Sequence, residues 1–228
     1  YTLLDSPDAL GIVLNYPNKS QELLTNSKVE LASQKSKIIK PNTPCVGFIG
    51  AGNYASRTLI PAFKEAGAVL DTLVTSSGIS GVHHGNKNQF VTASTKTEDL
   101  WGNDKINIVS IVTRHDAHAQ QVIDALNSGK NVFVEKPLAL TLDELDKINK
   151  SYNKANSSST VRLMVGFNRR YAPHVVKMRK LLDSHRSPKS IIMTVNAGAI
   201  PGEHWVQDSL IGGGRIIGEG CHFIDLMR

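Results

Sequence analysis

From Cys45 onward the chain repeats one pattern, an apolar run of four to eight residues followed by a stretch whose apolar residues recur at helical spacing. VGFIG leads into a segment with Leu59, Ile60 and Phe63 on one face. VLDTLVT comes next, then INIVSIVT leads into a segment with Ala119, Val122, Ile123 and Leu126 on one face, and NVFV leads into another helix. Short runs that are apolar throughout suit strands covered on both faces, and strands alternating with helices return parallel to one another. The predicted fold class is therefore α/β, built on a parallel sheet.

Local punctuation agrees with this reading. Gly67 and Gly129 fall where helix C-caps belong, Asp116 can cap the helix it opens, and Thr141 with Glu144 spells a capping box. Pro61 is discordant: inside a helix it removes a hydrogen bond at a cost of ~3 kcal/mol, which predicts a kink or a late helix start. A last strand is expected in RLMVGF (162–167), after the Ser-rich loop NSSST. A helix opened by Pro173, a strand SIIMTV (190–195) and a Gly-rich segment then begin a second domain. Residues 1–43 hold one apolar run, GIVLNY (11–16), and a polar stretch ending at Pro41 and Pro44, which reads as leader and linker. The expected organisation is a leader over 1–43, a nucleotide-binding domain over 44–167 and the start of a substrate domain over 168–228. A start at Tyr1 and an end inside a new amphipathic helix (222–228) read as an excised fragment.

Composition narrows the function classes. With 228 residues, 40% hydrophobic, the chain can bury one full core and part of a second. No apolar stretch approaches the ~20 residues of a membrane span, and no signal peptide is visible, so the cytoplasm is the default location. Cys45 and Cys221 make neither a CxxC motif nor a disulfide framework and read as buried thiols. The net charge of +6 is scattered, with no basic stripe interleaved with aromatics. It favours an anionic small ligand over nucleic acid.

VGFIGAGNYAS places Gly50, Gly52 and Ala55 in a GxGxxA directly after a strand and opening a helix. Small residues let the backbone approach a pyrophosphate, and the helix N-terminus supplies free N–H groups and a positive dipole. Asp71 lies at the spacing of a ribose-binding acid but inside VLDTLVT, whereas the ribose contact comes from the strand end, here Thr75, Ser76 and Ser77. Without a carboxylate there, NAD and NADP both stay open. Three strands end in polar clusters, at Gly50 to Asn53, at TRHDAH (113–118) and at Glu135 to Pro137, and in an open parallel sheet those ends share the ligand-binding edge. The candidate cofactor contacts are thus Gly50, Gly52, Asn53, Ala55, Ser76, Thr113, Arg114, His118 and Glu135. For His118 and Arg114 the competing reading is a turn that they cap and solvate. Arg169 and Arg170 read as surface charges or interdomain pairs. His83 and His84 lack companion ligands for a metal, and Gly212 to Gly214 lack a following GK[ST] and read as a flexible turn.

The ordered set VGFIGAGNYA, TRHDAHAQQVIDALNSGK, NVFVEKPLALTLDEL, MVGFNRRYAP and GGGRIIGEGCHFIDL resembles the Gfo/Idh/MocA oxidoreductases over about residues 44–228. The resemblance implies a Rossmann-type parallel sheet holding NAD or NADP, followed by a truncated α/β domain with an open sheet that holds a sugar-like small molecule. Much of that sheet, through which copies of such proteins could associate, would lie downstream of Arg228. By resemblance Lys136 is the catalytic lysine of the EKP motif and His222 the histidine of the GGGxxxDxGxHxID segment. The aspartate four residues before that histidine is Gly218 here, with Glu219 adjacent as the third catalytic candidate. The GEGCHFID wording is similar to members fused behind a zinc-type alcohol dehydrogenase module in polysaccharide-associated proteins. Hydride transfer from a CH–OH carbon needs a base within reach of the hydroxyl, which a desolvated lysine or a histidine can supply near neutral pH. The implied function is hydride transfer to or from a secondary alcohol or ketone of a sugar, cyclitol or nucleotide-sugar. The alternative is a non-catalytic cofactor-binding regulator on the same fold.

Overall fold

The computed structural model describes residues 26–31 and 43–228. Seven strands form one sheet: β1 Lys28–Glu30, β2 Cys45–Ile49, β3 Val69–Val74, β4 Thr92–Ser94, β5 Ile108–Ile111, β6 Asn131–Val134 and β7 Leu163–Val165, in the order β1-β4-β3-β2-β5-β6-β7. All neighbours pair in parallel except β1, which runs antiparallel along β4. Without β1 this is the doubly wound order, whose reversal point lies between β2 and β5. The edge strand β1 comes from the stretch read as leader and linker. A three-residue strand, KVE, is too short to show alternation. The run GIVLNY (11–16) lies outside the described residues.

The helices are α1 Ile60–Glu65, α2 Gly78–Asn88, α3 Glu98–Trp101, α4 His115–Asn127, α5 Leu142–Ser158, α6 Pro173–Asp183 and α7 Cys221–Met227. They cover the two sheet faces over separate cores. One gathers Val109, Ile111, Val122, Leu126 and Ile148 beneath α4 and α5. The other gathers Phe48, Ile60, Leu73 and Phe90. In the second, Phe48 meets Phe63 and Phe90 edge-to-face at 5.3 and 5.9 Å, and Phe63 meets Phe133 at 5.8 Å. Such pairs contribute ~0.5–1.5 kcal/mol each beyond their burial.

Gly67 and Gly129 adopt positive φ (85° and 69°) and close two helices in Schellman geometry, with Ala68 N–H donating to Phe63 O and Lys130 N–H to Ala125 O. The capping box at Thr141 forms in full. Ahead of Pro61, a π-helical turn at Ala55–Leu59 precedes α1, a register change that relieves the helix where proline offers no N–H. Three expectations need correction. Asp116 sits in the first turn of α4, whose N-cap is Arg114 with no side-chain bond. Residues 190–195 form no strand and pair with none of the seven strands, and Ile192 is 93% exposed. The turn at Gly212 to Gly214 is packed over its first two glycines, where a Cβ would come within 2.4 Å of Val206 Cα and 2.7 Å of Leu140 Cδ2, and open only at Gly214.

Candidate active site at the carboxyl edge of the sheet

The turn after β2 is shaped by its glycines. Gly50 has φ +100°, and a Cβ there would lie 2.4 Å from the Val112 carbonyl oxygen, so only glycine lets this turn pass against the end of β5. Its N–H donates to Val74 O at 2.8 Å, which joins the ends of β2 and β3. At Gly52 a Cβ would meet nothing within 4 Å, so this backbone faces open space. Ala55 is fully buried beneath it, and the helix that Asn53 begins points its unpaired N–H groups at the same opening. Small backbone facing free space, at a helix N-terminus on the reversal point of the sheet, fits a dinucleotide pyrophosphate. Asp71 does not reach this edge. It is 5% exposed and accepts from Thr72 Oγ1 at 2.7 Å and Asn103 Nδ2 at 2.8 Å. Beyond β3, Ser76 is exposed, while Thr75 donates to Ser77 O at 2.6 Å.

The end of β5 brings the TRHDAH residues into different settings. Thr113 donates from its hydroxyl to Gln121 Oε1 at 2.9 Å, and Arg114 is exposed with its guanidinium 5.8 Å from the Trp205 ring centre. His118 lies under the crevice floor rather than on it. It is fully buried, its Nδ1 lies 2.7 Å from Pro137 O and its Nε2 3.2 Å from Thr113 O. A neutral imidazole has one N–H, and the shorter contact places it on Nδ1. Burial holds the ring below its ordinary pKa against the pull of both carbonyls. His118 therefore ties the EKP turn to β5 and has no surface left for a cofactor.

At the end of β6, Glu135 N–H donates to Ile111 O at 2.9 Å, and its carboxyl oxygen Oε1 is buried without a partner. Burial raises this carboxyl above its ordinary range. Gly166 makes room for it, since a Cβ there would lie 2.7 Å from Oε1. Lys136 turns the other way and donates from Nζ to Gly218 O at 2.8 Å. His222, in the first turn of α7, is 6% exposed, and its Nδ1 is likewise buried and unpartnered. Burial first, then the charges of Lys136 and Arg169, push it down to about 4, so it is neutral at pH 7. Two orphaned polar atoms and a lysine ammonium thus gather at one strand edge, where a partner for them would be a ligand or water.

Glu219 stands apart from this group. Its Oε2 accepts from Arg215 Nε at 3.1 Å and Nη2 at 2.8 Å, so its charge is committed to that guanidinium. Position 218 is tight for the family's aspartate: a Cβ there would lie 3.1 Å from His115 Cε1 and 3.2 Å from Gly212 O, so the ring or the carbonyl would have to give by a few tenths of an ångström. Arg170 forms a two-pronged pair with Asp225 of α7, and Arg169 lies 4.5 Å from the Phe223 ring centre, so both arginines pair within the segment 168–228 rather than across to the nucleotide-binding sheet. Sequence reasoning passed over Tyr54, whose hydroxyl accepts from Asn168 Nδ2 at 2.8 Å, as well as His115 and Trp205. Tyr54 lies inside the glycine-turn stretch and His115 inside TRHDAH, so both had a local signal, whereas nothing local pointed to Trp205.

A doubly wound sheet with a glycine turn at its reversal point is the architecture of a dinucleotide-binding protein. The model of the Gfo/Idh/MocA oxidoreductase family, described by its NAD-binding Rossmann fold, matches residues 45–167, more than half of the chain, and the chain belongs to that family. Oxidoreductase P35 of Formosa agariphila is 33% identical over 140 residues, covering 61% of this chain and 42% of that protein. The inositol 2-dehydrogenase/D-chiro-inositol 3-dehydrogenase of Lactiplantibacillus plantarum is 32% identical over 150 residues, covering 65% and 41%. A levoglucosan dehydrogenase solved with NADH and levoglucosan shares the fold at a TM-score of 0.70 and 23% identity, over 82% of this chain and 53% of that one. The chain thus spans less than half the length of these two curated relatives and about half of the solved structure. No helix among the described residues is long and apolar enough to cross a membrane.

Proposed function

We propose that this chain provides the nucleotide-binding half, and the proton-handling lysine, of an NAD(P)-dependent oxidoreductase acting on a secondary alcohol or ketone of a sugar or cyclitol. The observation that carries the reading is the gathering of Lys136 with the buried, unpartnered His222 at the edge that also bears the Gly50–Ala55 turn. A bound nicotinamide cofactor would accept or supply the hydride, held along Gly50, Gly52, Asn53 and Ala55, with Ser76 at its adenosine end and Thr113, Arg114 and Glu135 along the crevice. Lys136 holds or receives the hydroxyl proton of the substrate. His222, neutral and desolvated, has a free ring nitrogen with which to orient that hydroxyl. No acidic side chain lies between Thr75 and Lys96, and Asp71 is turned away from the strand end, so nothing repels a 2′-phosphate and NADPH is accepted as well as NADH. The reading places the protein in the cytoplasm, where the free thiols of Cys45 and Cys221 stay reduced.

The test is Lys136→Ala in the full-length protein, with single-turnover hydride transfer measured at saturating cofactor beside a melting curve. Turnover should fall by ~10²- to 10⁴-fold with cofactor affinity unchanged, the range of a lost general acid-base group. Loss of melting temperature with the rate per folded molecule intact would mark Lys136 as a strand-end structural contact. It would give precedence to a non-catalytic, cofactor-binding regulator on the same fold.

A further inference from the structure

His115 opens α4 at 8% exposure, and segment 205–218 packs against it on several sides. Its Nδ1 donates to Gly212 O at 2.8 Å, and the Trp205 ring stands edge-on to it with centres 4.8 Å apart. Gly218 lies so close that a Cβ would meet the ring at 3.1 Å. On either side of it, Arg114 lies over Trp205 and Asp116 N–H donates to Ile211 O at 3.2 Å. Three consecutive residues at the start of α4 therefore grip one glycine-rich segment, and the far end of that segment presents the carbonyl that receives Lys136 Nζ at 2.8 Å.

A lysine side chain surrenders ~2 kcal/mol of rotamer entropy when it is fixed in one place, so it stays there only against an acceptor that is itself fixed. The Gly218 carbonyl belongs to a segment anchored at one end, where Gly212 and Gly213 N–H donate to Asp208 O at 2.9 and 3.0 Å, and unpacked at Gly214, which has positive φ (73°) and where a Cβ would meet nothing within 4 Å. Across that unpacked point, the contacts at 114–116 hold the segment against the start of α4. We propose that His115 is a positioning residue for Lys136, acting through the Gly212–Gly218 segment. We further propose that the glycine at 218 is the complement of His115, because a side chain there would push the segment off the ring. As a statement about catalysis this rests on the reading of Lys136 as the proton-handling group. As a statement about geometry it does not.

Competitive acylation of the chain with acetic anhydride at fixed pH, read by peptide mass, tests the geometry without turnover. Lys130 is an internal gauge of general loosening, since it is 7% exposed with Nζ donating to Asn103 O at 2.9 Å. His115→Phe keeps a ring against Trp205 but removes the donor, and it should raise Lys136 acylation about fivefold, the factor expected for one lost hydrogen bond, with Lys130 unchanged. His115→Asn places an amide N–H where Nδ1–H stood and should return Lys136 to its original reactivity. His115→Ser, with no donor at that reach, gives the same reading as phenylalanine if the larger ring is not accommodated. Unchanged Lys136 reactivity in the Phe and Ser variants, a rise shared equally by Lys130, or an Asn variant that behaves like Phe would overturn the proposal. A failure here leaves the single-turnover result on Lys136→Ala untouched, and a failure there leaves the labelling pattern intact, so the two readings fall separately.

Discussion

Gly50 and Gly52 are two residues apart, yet they are glycines for different reasons, and the difference can be measured. At Gly50 the backbone has φ +100° and a Cβ would strike the Val112 carbonyl at 2.4 Å, so the requirement is internal to the fold. Gly50→Ala should lower stability by ~1–3 kcal/mol, as expected where a side chain is forced into a left-handed conformation against backbone. At Gly52 a Cβ would meet nothing within 4 Å, so the requirement comes from whatever enters the crevice. Gly52→Val should melt like the parent while its affinity for NADH and NADPH drops at least tenfold, because the branched side chain stands where the pyrophosphate has to lie. Calorimetry and melting curves on both variants decide the matter. Equal affinity in Gly52→Val would remove the cofactor site from this turn.

Between elements, what was legible in the sequence follows how local its cause is. The runs VGFIG, VLDTLVT, INIVSIVT and NVFV became β2, β3, β5 and β6, because strands buried on both faces must be apolar throughout. Helix α2, GISGVHHGNKN, was missed because its glycines weaken the helical signal. Two of them serve packing instead: a Cβ at Gly81 would lie 2.7 Å from Thr75 Oγ1, and one at Gly85 2.5 Å from Leu31 Cδ1. SIIMTV has strand propensity, but propensity without a ladder partner forms no strand. The strand-end clusters were visible because each sits in one short stretch, whereas the grip of His115 on Gly212 joins residues 97 apart and leaves no local trace. The capping box of α5 is the local extreme. Glu144 N–H donates to Thr141 Oγ1 at 3.2 Å, and Glu144 Oε2 accepts from Thr141 N–H at 3.2 Å and Leu140 N–H at 2.8 Å. Thr141→Ala should therefore cost ~1 kcal/mol in denaturant melts. Because α5 packs along α4 under the EKP turn, a cost near zero would mean the helix is held by tertiary contacts alone.

Over the whole molecule, burial sets how stability responds to pH. His115, His118 and His222 are all held below the ordinary histidine pKa, burial being the largest cause for each, and His222 is pushed down to about 4. In the unfolded chain these rings protonate near ~6.5. Below that pH the unfolded state binds more protons than the folded one, so stability is intact near pH 7 and falls as the pH drops towards about 4. Glu135 works in the opposite sense. Its carboxyl is raised by burial above the ordinary value of 4.5, so just above that value the folded state holds the extra proton and acidification favours it. His84 is lowered by burial in the same way, so four sites oppose one, and a single site can contribute at most ~1.4 kcal/mol per pH unit. The melting temperature should therefore be lower at pH 5 than at pH 7.5, and His118→Asn, which keeps a donor towards Pro137 O but cannot charge, should flatten part of that slope. A melting temperature that is level or rises between pH 7.5 and 5 would show that these rings are solvated rather than buried. It would also remove the reason for taking His222 as neutral beside Lys136, since the desolvation that depresses its pKa is what keeps a second positive charge away from the lysine ammonium at neutral pH.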